Sequence, residues 1–217
     1  LSTLKRKEKE KEQRRNLIVD AAQTLFFSKR YDEITIEEIA KKSQLAKGTL
    51  YMYFKSKEAL YSAVALRGAH IMNTMFKEAA SQRQSGLEKG FTIGEAYYEF
   101  YKRHTQYFSM LAEAENLPVA HSDDVNATEL TKVSCENLEI VLNAVVLGIK
   151  DGSIKPDLDP MLTSIFLIQS TRAMILLPPG FEIFLRQAGA DKDAAIKSTL
   201  QALRSSLENT QTKKLED

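Results

Sequence analysis

One cysteine, Cys135, stands among the 217 residues, so no disulfide can close within the chain. A lone thiol fits a reducing compartment, and its neighbours Ser134 and Glu136 include no cation of the kind that accompanies a reactive thiol. Histidine is equally scarce. His70, His104 and His121 lie far apart, with none of the short spacings of a zinc motif. G-x-S-x-G, C-x-x-C and the glycine-rich phosphate cradle ending in Lys-Ser or Lys-Thr are all missing. These absences argue against an enzyme, a bound metal or a cofactor. No apolar run approaches the roughly 18 residues that cross a bilayer. No secretory signal pattern opens the chain, and the expected location is the cytoplasm. Glycine and proline, 9 and 5 in all, are rare inside segments. No run of alternating β-branched residues would make a sheet.

What is present is charge and a helical period. The net charge of +1 conceals an asymmetry: residues 1–60 carry 14 Lys/Arg against 9 Asp/Glu, and residues 61–217 carry 16 against 20. A basic head on an acidic body suggests that only the head meets a polyanion. The opening "KRKEKEKEQRR" sets opposite charges three apart, such as Lys7 with Glu10, which supports an exposed helical extension by roughly 0.2–0.5 kcal/mol per pair. It leads into a first helix whose inner face is Ile18, Ala21, Ala22, Leu25 and Phe26. A second helix starts at Thr35, where "TIEE" has the form of a capping box, with Ile36, Ile39 and Ala40 inward. After a break at "KSQL" a third helix runs from about Ala46 to Tyr53, and Ser56 caps a fourth.

Two short helices separated by about three residues form a helix-turn-helix, whose second helix enters the DNA major groove. At 100° per residue, Ala46, Leu50 and Phe54 anchor the third helix, while Gly48 and Met52 point away beside Lys47, Thr49 and Tyr51. Gly48 lets the backbone approach a duplex, and Lys47 can donate to a phosphate or a guanine edge. Thr49 and Met52 can touch a thymine methyl. Tyr51 and Tyr53 can reach phosphates, and Lys57 sits in the first turn of the next helix, which favours an anion. Thr35 is first a cap, Tyr53 can equally be a core-edge residue, and Lys41 and Lys42 read as a solvated face.

The stretch "LIVDAAQTLFFSKRYDEITIEEIAKKSQLAKGTLYMYFKSKEALYSAV" resembles the DNA-binding domain of the tetracycline-repressor (TetR) family of transcription regulators. "DAAQTLF", "TIEEIA", "KGTLYMYF" and "SKEAL" carry the resemblance, in order and at the family's spacing. It implies phosphate contacts from Thr35, Tyr51, Tyr53 and Lys57, and groove contacts from Lys47, Gly48 and Thr49. One departure stands out: the family has a small residue and then glycine in the turn, whereas this chain has Ser43 and Gln44. A φ above zero at Gln44 would strain the turn by about 1 kcal/mol.

The resemblance further implies an all-α fold, with a three-helix DNA-binding domain and a larger helical domain that dimerises and holds a small-molecule effector. The expected division is 1–13 charged extension, 14–62 DNA-binding domain, 63–210 ligand-binding and dimerisation domain, and 211–217 tail. Its expected partners are a palindromic double-stranded operator, an effector and a second copy of the chain, acting most simply as a repressor. The other reading is a helical interaction protein whose basic head grips a partner or nucleic acid nonspecifically. "SQRQSGLEKG" reads as a loop, "AEAENLPVAHSDD" as a turn, and a helix of about 25 residues should follow and end at "KDGSIKPDLDP", with Gly152 at its C-terminal cap. "MLTSIFLIQSTRAMILL" is apolar on nearly every face and stops at Pro178 and Pro179. Candidate effector residues are the polar or aromatic Tyr98, Tyr101, His104, Phe108, Asn137, Gln169 and Arg172. Candidate dimer residues are Ile165 and the stripe Ile196, Leu200, Leu203 and Leu207.

Overall fold

The structure is a computed structural model that describes residues 2–114 and 124–210. Ten α-helices occur among them: α1 (Ser2–Phe26), α2 (Ile36–Lys42), α3 (Lys47–Tyr51), α4 (Lys57–Ser81), α5 (Gly86–Arg103), α6 (Thr105–Ala114), α7 (Val125–Lys150), α8 (Pro160–Ile175), α9 (Pro179–Gln187) and α10 (Lys192–Leu207). The only extended pairing among the described residues is one isolated bridge, Ile154 with Glu208. The chain divides into two compact units. The first is Leu1–His70 with Gln106–Val133, and the second is Ile71–Thr105 with Ser134–Asp217.

The first unit closes around α1–α3, the start of α4, α6 and the start of α7. Ile18, Val19 and Ala22 of α1 meet Ile39 and Ala40 of α2, Leu50 of α3, and Leu60 and Val64 of α4 in one core. The spacing of the α1 residues is the three-and-four period that puts them on one helix face. Tyr61 fills the centre, edge-on to Phe26 at 5.1 Å and Tyr31 at 5.3 Å, and its hydroxyl donates to the Met110 carbonyl at 3.0 Å. That bond satisfies the single polar atom this buried ring brings with it.

The second unit holds the end of α4, the end of α7, α5, α8, α9 and α10. Its cores gather Phe76, Ile93, Val141 and Ala144 in one cluster, and Leu87, Val145, Ile154 and Leu207 in another. Two segments differ from the sequence expectation. "SQRQSGLEKG" is not all loop, because α5 begins at Gly86 with the Ser85 side chain capping the Glu88 N–H at 3.3 Å. The double proline stops α8 but also starts α9, with Pro179 in the first helical turn where its missing N–H costs nothing. The expected turn at Pro118 lies outside the described residues. The helix α7 has 26 residues, and Gly152 beyond it adopts φ +78°, as a C-terminal cap requires.

Candidate nucleic-acid interface and internal cavity

The turn between α2 and α3 is built from local chemistry. At the start of α2, the Glu38 N–H donates to Thr35 Oγ1 at 3.2 Å, and the Thr35 N–H donates to Glu38 Oε2 at 3.0 Å. This is the reciprocal capping box that "TIEE" encodes. At the end of α2, the Leu45 N–H donates to the Ala40 carbonyl at 3.0 Å and the Gln44 N–H to the Lys41 carbonyl at 3.2 Å. That pair of bonds is a Schellman closure, which needs a left-handed residue between them. Gln44 takes that position with φ +57°, where glycine is at ease and a side chain is strained by about 1 kcal/mol or more.

Ala46 then stands outside α3 in an extended conformation and is exposed, so it does not anchor the helix as the 100° count suggests. Leu45 packs on the core instead, with Leu50 and Phe54 fully buried. The opposite face presents Lys47, Gly48, Tyr51 and Met52, the last 82% exposed. Thr49 and Tyr53 are half-buried at its edges, and Tyr53 packs against the core. A Cβ added at Gly48 would meet nothing within 4 Å, so the chain's own packing does not demand glycine there.

The cations on this face are partly engaged. Lys47 donates to the Glu37 carboxylate of α2, and its ammonium lies 5.9 Å from the Tyr51 ring centroid. The hydrogen bond from Lys47 holds the Glu37 carboxyl below its usual range, and the same contact raises the Lys47 pKa. Lys57 donates to the carbonyls of Tyr31 at 2.9 Å and Ile34 at 3.1 Å, and lies 4.1 Å over the Tyr31 ring. An ammonium carries three donors, so this fastening leaves one for an outside acceptor. Burial, followed by the hydrogen bond to Glu58, pushes the Tyr31 hydroxyl's pKa up, so it stays protonated as a donor at 2.7 Å.

The second unit encloses an apolar cavity whose empty space, mouth included, comes to about 590 Å³. Gly90, Gly94 and Tyr97 line it from α5, Val141 and Val145 from α7, Leu167, Ile168 and Thr171 from α8, and Leu200, Leu203 and Arg204 from α10. A Cβ at Gly90 would meet nothing, and one at Gly94 only the tip of Leu200, so these two glycines leave open a volume that side chains would fill. The Thr171 hydroxyl is spent on the Leu167 carbonyl at 2.8 Å. Arg204 lies 5.3 Å over the Phe91 ring and brings a cation to the lining. The lining is of the kind small-molecule sites have, mostly apolar with few polar groups.

Residues 18–64 match the family model described as "Bacterial regulatory proteins, tetR family". The chain thus carries the DNA-binding segment of the tetR family. It is a DNA-binding transcription regulator and not an enzyme. The HTH-type transcriptional regulator YhgD of Bacillus subtilis is 28% identical over 169 residues, spanning 75% of this chain and 82% of its own. The HTH-type transcriptional repressor KstR2 of Rhodococcus jostii is 27% identical over 71% of this chain and 74% of its own. Among solved structures, FadR from Bacillus subtilis in complex with stearoyl-CoA shares the fold with a TM-score of 0.65 at 20% identity, over 87% of this chain and 97% of that one.

The expected effector residues do not line the cavity. Tyr98, Tyr101, His104, Asn137, Gln169 and Arg172 all lie off its wall, and Phe108 is buried in the other unit. The Tyr98 hydroxyl donates to Asp193, Tyr101 accepts from Lys192 at 3.2 Å, and Asn137 accepts from Asn73 at 2.9 Å. The Tyr98 and Tyr101 hydroxyls and the Asn137 carbonyl oxygen are thus engaged by other side chains, while the cavity wall is apolar and marked by small residues. The stripe Ile196, Leu200, Leu203 and Leu207 is buried within its own chain and unavailable to a partner. Periodicity finds a buried face without saying whose core it enters. Ile165, by contrast, is 43% exposed. Gly90 closes the stretch that reads as a loop and Gly94 opens the helical one after it, so the sequence alone does not set the two on one helix face.

Proposed function

We propose that two copies of this tetR-family chain bind a palindromic stretch of double-stranded DNA in the cytoplasm as a repressor, and that a largely apolar effector in the cavity releases them. The observation that carries this reading is the outer face of α3, where Lys47, Gly48, Tyr51 and Met52 are exposed above a helix pinned by Leu50 and Phe54. Lys47, Gly48, Thr49 and Met52 read the groove, and Thr35, Tyr51, Tyr53 and the remaining Lys57 donor hold phosphates. Residues 14–62 then form the DNA-binding domain and 63–210 the effector and dimer domain, between the extension 1–13 and the tail 211–217. The Glu37 contact gives Lys47 an intramolecular partner that DNA must displace.

The lining suggests the effector's chemistry: an apolar body, with one acidic group placed to meet Arg204. The stearoyl-CoA complex of B. subtilis FadR supports long-chain acyl thioesters as the first class to try. Such a ligand acts only through a difference in affinity for the DNA-bound and free states.

The test is selection of genomic fragments by the wild type at physiological salt, beside Lys47→Ala/Tyr51→Phe. A palindrome with half-sites about one helical turn apart is expected from the wild type and weakened tenfold or more in the variant. Stearoyl-CoA should then release the fragment, and Gly90→Leu, which fills the cavity, should bind the fragment but ignore stearoyl-CoA. A folded wild type that binds all fragments alike would instead support nonspecific binding by a basic head.

A further inference from the structure

We propose that the helical arm at the N-terminus of α1 is a second DNA contact, carried by Lys7, Lys11 and Arg14 on the phosphate backbone. The inference rests on the reading of α3 as the first contact. Charge raises the question. Residues 1–15 carry seven Lys/Arg against three Glu, whereas residues 16–60 carry seven against six. The helix-turn-helix body is therefore close to neutral, and nearly all of the basic excess of the head sits on the arm. A protein that gains affinity by neutralising phosphates has its main supply of cations there.

Geometry supplies the rest. The helix α1 runs unbroken from Ser2 to Phe26, and the body's core takes hold of it only from Ile18. Side chains 4–14 are all exposed. At 1.5 Å per residue the arm extends about 18 Å beyond Arg15, close to the width of a duplex. Lys7, Lys11 and Arg14 are spaced four and three, and the same row continues as Ile18, Ala22 and Leu25. The helix face that is apolar inside the body thus becomes a row of cations outside it. Glu8 and Glu12 stand on other sides of the arm, and Glu10, which flanks the row, is held by Arg6 at 2.9 Å. Lys7, Lys11 and Arg14 make no ion pair or hydrogen bond among the described residues, and Lys7 does not pair with Glu10 as the spacing suggests. At the root of the arm the Arg15 guanidinium lies 5.2 Å over the ring of Phe54, which closes the segment bearing Tyr51 and Tyr53. The arm therefore leaves the unit beside the recognition segment.

A solvated, salt-bridged helix would use its charges equally on every side, and that difference is measurable. The full chain would be titrated onto a 40-base-pair mixed-sequence duplex across a series of salt concentrations. Lys7→Gln/Lys11→Gln/Arg14→Gln would be compared with Lys5→Gln/Arg6→Gln/Lys9→Gln, which removes the same charge from other faces. Each phosphate contact contributes about 0.9 to the slope of log affinity against log salt. The row variant should lose about 2 to 3 from that slope per bound chain and bind roughly tenfold or more weakly near 100 mM salt. The control variant should lose less than about 1. Equal losses in the two variants, or none in either, would overturn the arm contact while leaving the α3 reading intact. A wild type that binds no duplex at any salt would overturn both. Circular dichroism keeps a loss of arm helicity from passing as a loss of contact, and Lys7→Arg/Lys11→Arg should retain the wild-type slope.

Discussion

Gln44 shows how one residue can hold a strained conformation for a motif that needs it. Two backbone hydrogen bonds, from Gln44 and from Leu45, close the end of α2 only because Gln44 turns to φ +57°. Its side chain is exposed, so little is lost by removing it. Glycine adopts that region without the Cβ penalty but gives up more freedom on folding. The balance favours Gln44→Gly, which should raise unfolding stability by about 0.5–1 kcal/mol. Urea denaturation of the two chains measures it directly. A destabilised variant would mean that the side chain makes an interaction worth more than the strain. Because the turn orients α3, the same variant also asks whether the strain serves DNA binding. Unchanged affinity at higher stability would make Gln44 a tolerated cost and no more.

At the scale of elements, α5 carries a test of packing within a single helix. Gly86, Gly90 and Gly94 are four apart and so share one face, yet their surroundings differ sharply. A Cβ at Gly86 would lie 2.0 Å from the Gly148 backbone nitrogen and 2.3 Å from the Ala144 carbonyl oxygen, both in α7. Backbone cannot yield as a side chain tip does, so Gly86→Ala must push the two helices apart and should cost about 1–3 kcal/mol or more. A Cβ at Gly90 meets nothing, and Gly90→Ala should gain roughly 0.5–1 kcal/mol from helix propensity. The same substitution four residues apart thus carries opposite signs, and thermal or urea unfolding reads both.

The start of α5 also predicts a pH dependence. Asp151 accepts from the Gly86 N–H at 2.7 Å, and Ser153 Oγ accepts from the Leu87 N–H at 3.1 Å. Burial works against the Asp151 charge, but hydrogen bonds from Ser153 and from the backbone of Gly86 prevail, and its pKa is lowered. A depressed carboxylate contributes stability that is present above its unfolded pKa, about 3.9, and is lost as pH falls through the lower folded value. Asp151→Ala should therefore cost about 1 kcal/mol at pH 6–8, a modest figure because the carboxylate is exposed. The gap between the two chains should be level in that range and close below about pH 4. A gap that stayed constant to pH 2.5 would place the stabilisation in something other than the ionised carboxyl. This contact also marks the limit of sequence reading. The caps at Thr35, Ser56 and Gly152 were legible because each acts within four residues of itself. The beginning of α5 was not, although Ser85 caps the Glu88 N–H, because the reason for Gly86 appears only once α7 lies across it. The cavity failed to show for the same reason: its wall is defined by what side chains leave empty, and Tyr98, Tyr101 and Asn137, which looked like a site, meet Asp193, Lys192 and Asn73 instead.

At the scale of the whole molecule, reading a palindrome requires a second copy, and a two-fold partner needs a self-complementary face. The stripe on α10 cannot supply it, since those residues are buried in their own chain. On α8, however, Leu162, Ile165 and Phe166 are 68, 43 and 52% exposed, on one side of the helix with Gln169 and Ala173, and Leu176, 45% exposed, caps its end. The outward side of α10 is small and polar, with Ala194, Ser198, Ala202 and Ser205, which suits close approach of another helix. An apolar row of this kind is a contact surface more often than a solvated one. Ile165→Glu/Phe166→Glu puts two carboxylates where a partner would have to bury them, at several kcal/mol of desolvation. Because both side chains are already exposed in the single chain, the variant should keep its helicity. Sedimentation at micromolar concentration should find the wild type dimeric and the variant monomeric, its dissociation constant raised 100-fold or more. The variant should also bind an isolated half-site as well as the wild type does, yet lose the gain that the full palindrome gives two linked readers. A folded variant that stays dimeric would move the interface off α8, and α9, with Phe181 and Phe184 57 and 65% exposed, would be the next face to charge.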